Sequence, residues 1–283
     1  MPVLVIGATS QIGHFMLPRL VAAGQEVLAL SRQAQARRQV AGVRWLQGQL
    51  PDAVPGLPPL DAVVSFGPLD GLGQWLSGLQ AAPAPRVVAT SSMSLASKRD
   101  SQVPAERELL ARLANGEAGI AAQCQRLGMS WTLLRPSLIY GAGLDQSLTP
   151  IARRAARTRL FPLPAGRGLR QPVHADDIAQ AVMACLQSDV AVGRTLCMGG
   201  GERLPAAEMF ARVRDSLPFA TVPVHLGRPL MRLVAALLPA TRGPVSRLDA
   251  DLVVDNSEFT EALGITPRPF RVDASMWGLG GEG

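Results

Sequence analysis

The stretch Val3-Leu4-Val5-Ile6-Gly7-Ala8-Thr9-Ser10-Gln11-Ile12-Gly13 decides the fold. Four apolar residues read as a buried strand. After the glycine turn a helical pattern runs from His14-Phe15-Met16 to Leu20-Val21-Ala22-Ala23-Gly24. Gly7 permits the tight strand-to-helix turn, Gly13 lets helix and strand backbones close up, and free N–H groups at the helix start can face a diphosphate. With the strand before it and the helix after it, the turn reads as a dinucleotide-binding fingerprint. Ser10 stands where the pattern usually has its middle glycine, so the approach to a phosphate is tighter and a hydroxyl donor is added. A phosphate loop of the nucleotide triphosphatase kind is excluded, because no Gly-Lys-Ser/Thr follows Gly7. The predicted cofactor contacts here are Gly7, Thr9, Ser10, Gln11, Ile12 and Gly13.

Working outward, strand-like runs recur at Glu26–Leu30, Val43–Leu46, Ala62–Ser65 and Arg86–Ala89, separated by helical stretches or loops. A long helical segment from about Pro104 to Leu127 precedes another strand at Trp131–Leu134. Such alternation predicts an α/β fold, a doubly wound parallel sheet with helices on both faces and ligands at the carboxyl ends of its strands. Beyond Pro150, prolines punctuate shorter elements, as in a smaller lid. The expected division is a dinucleotide-binding domain over residues 1–165 and, over 166–283, mostly a substrate-binding lid with some segments returning to the sheet. The last residues, Gly278 to Gly283, read as disordered.

With 283 residues and 47% hydrophobic content the chain can bury a full core. No signal peptide is read before the first strand. The most apolar later run, Leu230 to Ala240, carries Arg232 and is too short to span a bilayer. A cytoplasmic location is therefore expected, with no membrane span. Cys124, Cys185 and Cys197 lie in apolar surroundings without metal-ligand spacing, so they read as buried reduced thiols and no metal is expected. The formal charge of +6 is carried almost wholly by arginine, Lys98 being the only lysine. Few aromatics accompany it, which argues against nucleic acid. One cluster, Arg153, Arg154, Arg157 and Arg159 with Arg167 and Arg170, concentrates positive charge suited to an anionic ligand.

Taken in order, the turn from Gly7 to Gly13, Thr90-Ser91-Ser92, Leu134-Arg135-Pro136-Ser137-Leu138-Ile139-Tyr140-Gly141, Arg170-Gln171-Pro172-Val173-His174-Ala175-Asp176-Asp177 and Leu263-Gly264-Ile265-Thr266-Pro267-Arg268 form a set of landmarks. The chain resembles the extended short-chain dehydrogenase/reductases, the group of nucleotide-sugar epimerases and dehydratases. The resemblance covers nearly the whole sequence and implies the Rossmann fold and a nicotinamide cofactor. After the second strand stands Ser31-Arg32, followed by Arg37 and Arg38, where a carboxylate would select a free ribose hydroxyl and an arginine a 2′-phosphate. NADP is therefore expected, with NAD as the alternative. Gln49 takes the place of an adenine-contacting Asp, and Phe66 and Gly67 should line the groove. The resemblance also gives Arg170 a substrate-diphosphate role and makes a homodimer through the long helix the expected assembly. His174 and the following aspartates read as structural, with Asp176 or Asp177 capping a helix from Ile178.

Members of this group move a hydride while a Tyr-x-x-x-Lys pair shuttles the proton and a serine polarises the carbonyl. Ser92 matches the serine. The pair cannot occur, since Tyr140 is the only tyrosine and Lys98 the only lysine. Counting back from Glu117, its positions fall on Leu109 and Leu113, an apolar helical face. Ser92 and Tyr140 remain as candidate catalytic and substrate residues, with a Tyr140–Lys98 substitute dyad conceivable. Two readings stay open. One is an atypical reductase or epimerase-like protein for an anionic, nucleotide-linked ligand. The other is a dinucleotide-binding protein without turnover, a redox sensor like the NmrA-type regulators or an assembly factor like the nucleotide-binding accessory subunit of respiratory complex I.

Overall fold

In a computed structural model, which describes residues 1–37, 39–237, 245 and 247–279, the expected strands all form. They are β1 (Val3–Ile6), β2 (Val27–Ser31), β3 (Val43–Gln47), β4 (Ala62–Ser65), β5 (Arg86–Thr90) and β6 (Ser130–Pro136). The helices among them are α1 (Gln11–Ala22), α2 (Leu69–Ser77), the short α3 (Ser94–Ser97) and α4 (Pro104–Leu127). Later come β7 (Ile139–Tyr140), α5 (Thr149–Thr158), β8 (Leu160–Pro164), β9 (Leu169–Arg170), β10 (Val173–His174), α6 (Ala175–Gln187) and β11 (Arg194–Met198). Then follow β12 (Leu204–Pro205), α7 (Ala206–Asp215), β13 (Val222–Leu226), α8 (Arg228–Leu237) and the helix Ser257–Leu263. Arg38, residues 280–283 of the expected disordered end, and residues 238–240 at the end of the apolar run lie outside the described residues.

Seven strands make one parallel sheet in the order β11-β6-β5-β4-β1-β2-β3. From β1 the chain winds outward through β2 and β3, then returns to place β4 on the other side of β1. Connections leaving the adjacent carboxyl ends of β1 and β4 run in opposite directions, which opens a crevice there. Gly7 sits at that reversal with φ +74°, and a Cβ on it would lie 2.8 Å from the Phe66 carbonyl carbon. The turn can therefore hold only glycine without displacing the loop after β4.

Both faces of the sheet are covered. Val5, Val64 and Val88 pack under Met16 and Leu20 of α1, Ile178 and Val182 of α6, and Phe259. Leu4, Val63 and Val87 on the opposite face meet Leu72 and Leu76 of α2 and Ile120 and Cys124 of α4. A third apolar cluster, including Phe161, Met209, Val213, Phe270 and Trp277, is the lid's own core. The lid is built on β8, whose parallel partner is β13. Residues 166–283 thus divide their contribution, since β11 and α6 complete the sheet layer while α7 and β13 belong to the lid.

The junction between the two layers corrects one expectation. Helix α6 begins at Ala175, not Ile178, and its cap is His174, whose Nδ1 accepts the Asp176 N–H at 3.1 Å. Accepting at Nδ1 leaves the ring proton on Nε2. Burial holds His174 below its usual range, favouring the neutral ring this cap requires. The aspartates are freed for a clasp. Asp176 accepts from Arg19 at 2.7 and 2.9 Å and from Arg268 at 2.8 Å, while Asp177 accepts from Arg268 Nε at 2.6 Å. Helices α1 and α6 and the segment near the chain end are joined by this one network.

Candidate cofactor groove and adjoining cleft

Along the carboxyl edge of the sheet lies a cavity of about 650 Å³ whose wall includes Gly7, Thr9, Arg32, Arg37, Gln49 and Gly67. Ser10, at the head of α1, accepts the Gly13 N–H on its Oγ at 3.1 Å and so acts as the helix cap. That hydroxyl keeps its own proton for a ligand. Gly13 is the tightest point of the turn, because a Cβ there would lie 2.3 Å from the Ala8 carbonyl oxygen. The fingerprint glycines are accounted for by close backbone approach at both ends.

Ser31 to Arg37 form the outer wall. Gln47, at the end of β3, pins this turn by accepting from the Ala34 N–H at 3.0 Å and donating to the Arg32 carbonyl at 2.5 Å. Sequence reasoning missed Gln47, although a glutamine ending a strand next to a cofactor turn is a readable signal. Arg37 Nε lies 3.4 Å from Ser31 Oγ. No aspartate or glutamate is among the described residues lining this groove. Two guanidinium groups therefore face it without a competing carboxylate.

Gly67 and Pro68 also line a second cavity, of about 350 Å³, so the two adjoin across this wall. Its walls include Ser10, Gln11, Ile12, Phe66, Ser91 and Ile139, and Leu109 and Leu113 stand on them as well. The leucines line this cleft without filling it. Leu109 is 39% exposed, unusual for a large apolar side chain on a helix that packs against α2. Two buried polar atoms in this cleft, Gln11 Oε1 and Ser91 Oγ, have no partner within the protein. An unpartnered buried polar atom costs about 1–3 kcal/mol, so both are poised for a ligand or water. Arg112 and Asp70 form an exposed ion pair at 3.0 Å at the rim.

Other candidate residues lie elsewhere. Ser92 lines neither cavity, and its hydroxyl is engaged at the start of α3, with Ser94 Oγ at 3.0 Å and the Ser94 N–H at 3.1 Å. Tyr140 is fully buried among His174 and Phe270, with ring centroids 5.1 and 4.9 Å away. Burial pushes its phenol well above the usual range, which disfavours the ionised form, and the side chain presents no surface to either cavity. Lys98 is bound to Glu106 at 3.2 Å, on another element, so the Tyr140–Lys98 dyad does not form. Arg170 is also turned inward. It is 7% exposed and donates to the carbonyls of Leu169, Ala250 and Arg247, each at 2.8 Å. Its donors hold the segment after α8 against the lid instead of a substrate diphosphate. Cys124 and Cys185 are buried free thiols, pushed up to about 11 and about 12 by desolvation, while Cys197 is partly buried.

Residues 79–199 match the NAD dependent epimerase/dehydratase family. A 2-alkyl-3-oxoalkanoate reductase of Stenotrophomonas maltophilia (strain K279a) is 27% identical over 244 residues, 74% of this chain and 73% of that protein. Among solved structures, UDP-glucuronic acid 4-epimerase from Bacillus cereus in complex with NAD superposes with a TM-score of 0.71 at 13% identity, covering 99% of this chain and 96% of that one. UDP-glucose 4-epimerase from Thermotoga maritima with UDP-glucose gives 0.69 at 14% identity, covering 99% and 97%. The solved structures share the chain's fold, and the family match falls on the segment from the end of α2 to the end of β11. Among the described residues no helix is long and apolar enough to cross a membrane, and no cluster of metal-ligating side chains occurs.

Proposed function

We propose that this chain is an atypical, NADP-preferring member of the group that binds the dinucleotide along the β1/β4 crevice, beside a small anionic, nucleotide-linked ligand. The observation carrying it is the groove wall at Arg32 and Arg37, basic and free of carboxylates, next to the capped and glycine-tight head of α1. Arg32 and Arg37 would hold the 2′-phosphate, Gln49 a base edge, and Ser10 to Gly13 the diphosphate. When bound, the nicotinamide supplies hydride transfer. The chain's own part is to position that ring against Ile12, Phe66 and Ser91 and to exclude water with Leu109 and Leu113. The anionic ligand rests on the nucleotide sugars bound by similar structures, since Arg170 is committed internally. A homodimer across α4 and a cytoplasmic setting belong to the same reading.

Calorimetric titration with NADPH and NADH tests it. NADPH should bind at least about tenfold tighter, as expected for charge-assisted bonds to one added phosphate, and Arg32→Ala should erase the difference. Equal affinity for the two cofactors overturns the NADP reading, and an NADPH preference that survives Arg32→Ala overturns the assignment of the 2′-phosphate to Arg32. Absence of binding by either dinucleotide overturns the cofactor site itself.

A second reading, binding without turnover, is favoured by one observation: Leu109 and Leu113, which the resemblance sets at the positions of the proton relay, line the smaller cleft. Single-turnover absorbance of bound NADPH against carbonyl and nucleotide-sugar panels separates the two. Oxidation of the bound cofactor by any of them supports the enzyme, and tight binding with no oxidation across the panel supports the sensor or assembly factor.

A further inference from the structure

We propose that a groove on the lid, along α5, is a second anion site that takes a small phosphate group of two or more charges. Arg153, Arg154 and Arg157 line a cavity of about 660 Å³ between α5 and the loop 143–146. This cavity shares no lining residue with the cofactor groove or with the cleft beside it. Its one carboxylate is already committed. Asp145, 5% exposed, accepts the N–H groups of Ser147, Leu148 and Thr149 at 2.9, 2.6 and 3.1 Å, and the Thr149 hydroxyl as well. The N-terminal donors of α5 are thereby spent, and the arginines are left without an acid in the groove.

Arg153 is held in place by the backbone. Its Nε donates to the Trp277 carbonyl at 3.1 Å. Its outer guanidinium nitrogen passes over Gly143 and Gly278, where a Cβ would come within 3.3 and 2.7 Å of it. Both glycines have positive φ, 64° and 65°, so the chain there is shaped around the guanidinium. Among the described residues, neither Arg154 nor Arg157 has a carboxylate at ion-pair distance. Arg159, by contrast, is occupied over the Phe219 ring, 4.4 Å from its centroid. Arg153 and Arg157, four apart on one helix, repel each other unless an anion lies between them. Guanidinium forks match pairs of phosphate oxygens, and the concavity suits a small molecule better than an extended chain.

Calorimetric titration of the full chain with inorganic pyrophosphate tests the site, run on wild type, on Arg154→Ala/Arg157→Ala, and on Arg44→Ala/Arg107→Ala as a control of equal charge. Saturable binding weakened at least about tenfold by the first pair and left within about twofold by the control supports the site. Three results overturn it: no saturable binding by wild type, binding unchanged in the first pair, or equal weakening in both pairs. Flotation with anionic phospholipid vesicles then assigns the source. Protein that floats and is released by pyrophosphate takes a lipid headgroup in this groove, and protein that binds pyrophosphate without floating takes a free anion.

Discussion

Glu106 ties the start of α4 to the segment after α8, and its replacement by glutamine gives a sharp test of how that tie works. The carboxylate accepts from Arg247 at 2.8 and 2.7 Å, from Ser101 Oγ at 2.5 Å and from Lys98 at 3.2 Å. The Arg247 guanidinium, first among these, holds Glu106 down to about 2 from an ordinary 4.5. A carboxylate lowered on folding stabilises the fold above its unfolded value and loses that contribution as pH falls toward its folded value. The full displacement is worth about 3 kcal/mol, and solvent screening around these long side chains reduces it to about 1–2 kcal/mol. Urea unfolding of wild type and Glu106→Gln should therefore show the variant less stable by about 1–2 kcal/mol near neutral pH. The gap should close as pH falls below about 4.5. A gap that stays constant into acid would refute the electrostatic account, and no gap at neutral pH would show that the four donors contribute nothing net.

Arg170→Met should lower stability by about 2–4 kcal/mol, because three inward carbonyls lose their donor, while NADPH affinity measured by calorimetry stays unchanged. Full stability in the variant would show that the three carbonyl bonds contribute nothing net. Tyr140→Phe removes a buried hydroxyl with no partner, so denaturation should find it neutral or stabilised by up to about 1 kcal/mol. Gly13→Ala should abolish dinucleotide binding in the same titration, since its methyl group would meet the Ala8 carbonyl at 2.3 Å and push α1 off the turn.

The fold was legible because its signals are local. The apolar runs, the glycine turn and the helix from Pro104 to Leu127 each follow from spacing along the chain, and the last matches its expected ends. The cofactor turn was equally plain, as Gly7 and Gly13 are fixed by contacts within one strand–turn–helix unit and the loop after β4. What the sequence hid were choices made by distant partners. Arg170 reads as a free cation until the carbonyls of Arg247 and Ala250 are brought beneath it. His174 and the aspartates exchanged their expected parts because Arg19 and Arg268, 157 and 92 residues away from Asp176, claim the carboxylates. Tyr140 reads as a substrate or catalytic candidate, yet the lid closes over it with Phe270.

The lid is not a separate bead on the chain. Its pieces are two excursions, one leaving after β6 and returning at β10 and the other leaving after β11 and returning at the helix Ser257–Leu263, together with the segment beyond that helix, whose Phe270 and Trp277 join the lid core. A cut at residue 165 would strip β11 from β6 and α6 from α1 and bare the apolar residues packed between them, so the halves are not interchangeable modules. The excursions themselves are replaceable, since each begins and ends at the sheet. In this architecture α5 to β8 and α7 to β13 can be rewritten while the β1/β4 crevice, built wholly from the sheet layer, keeps its shape.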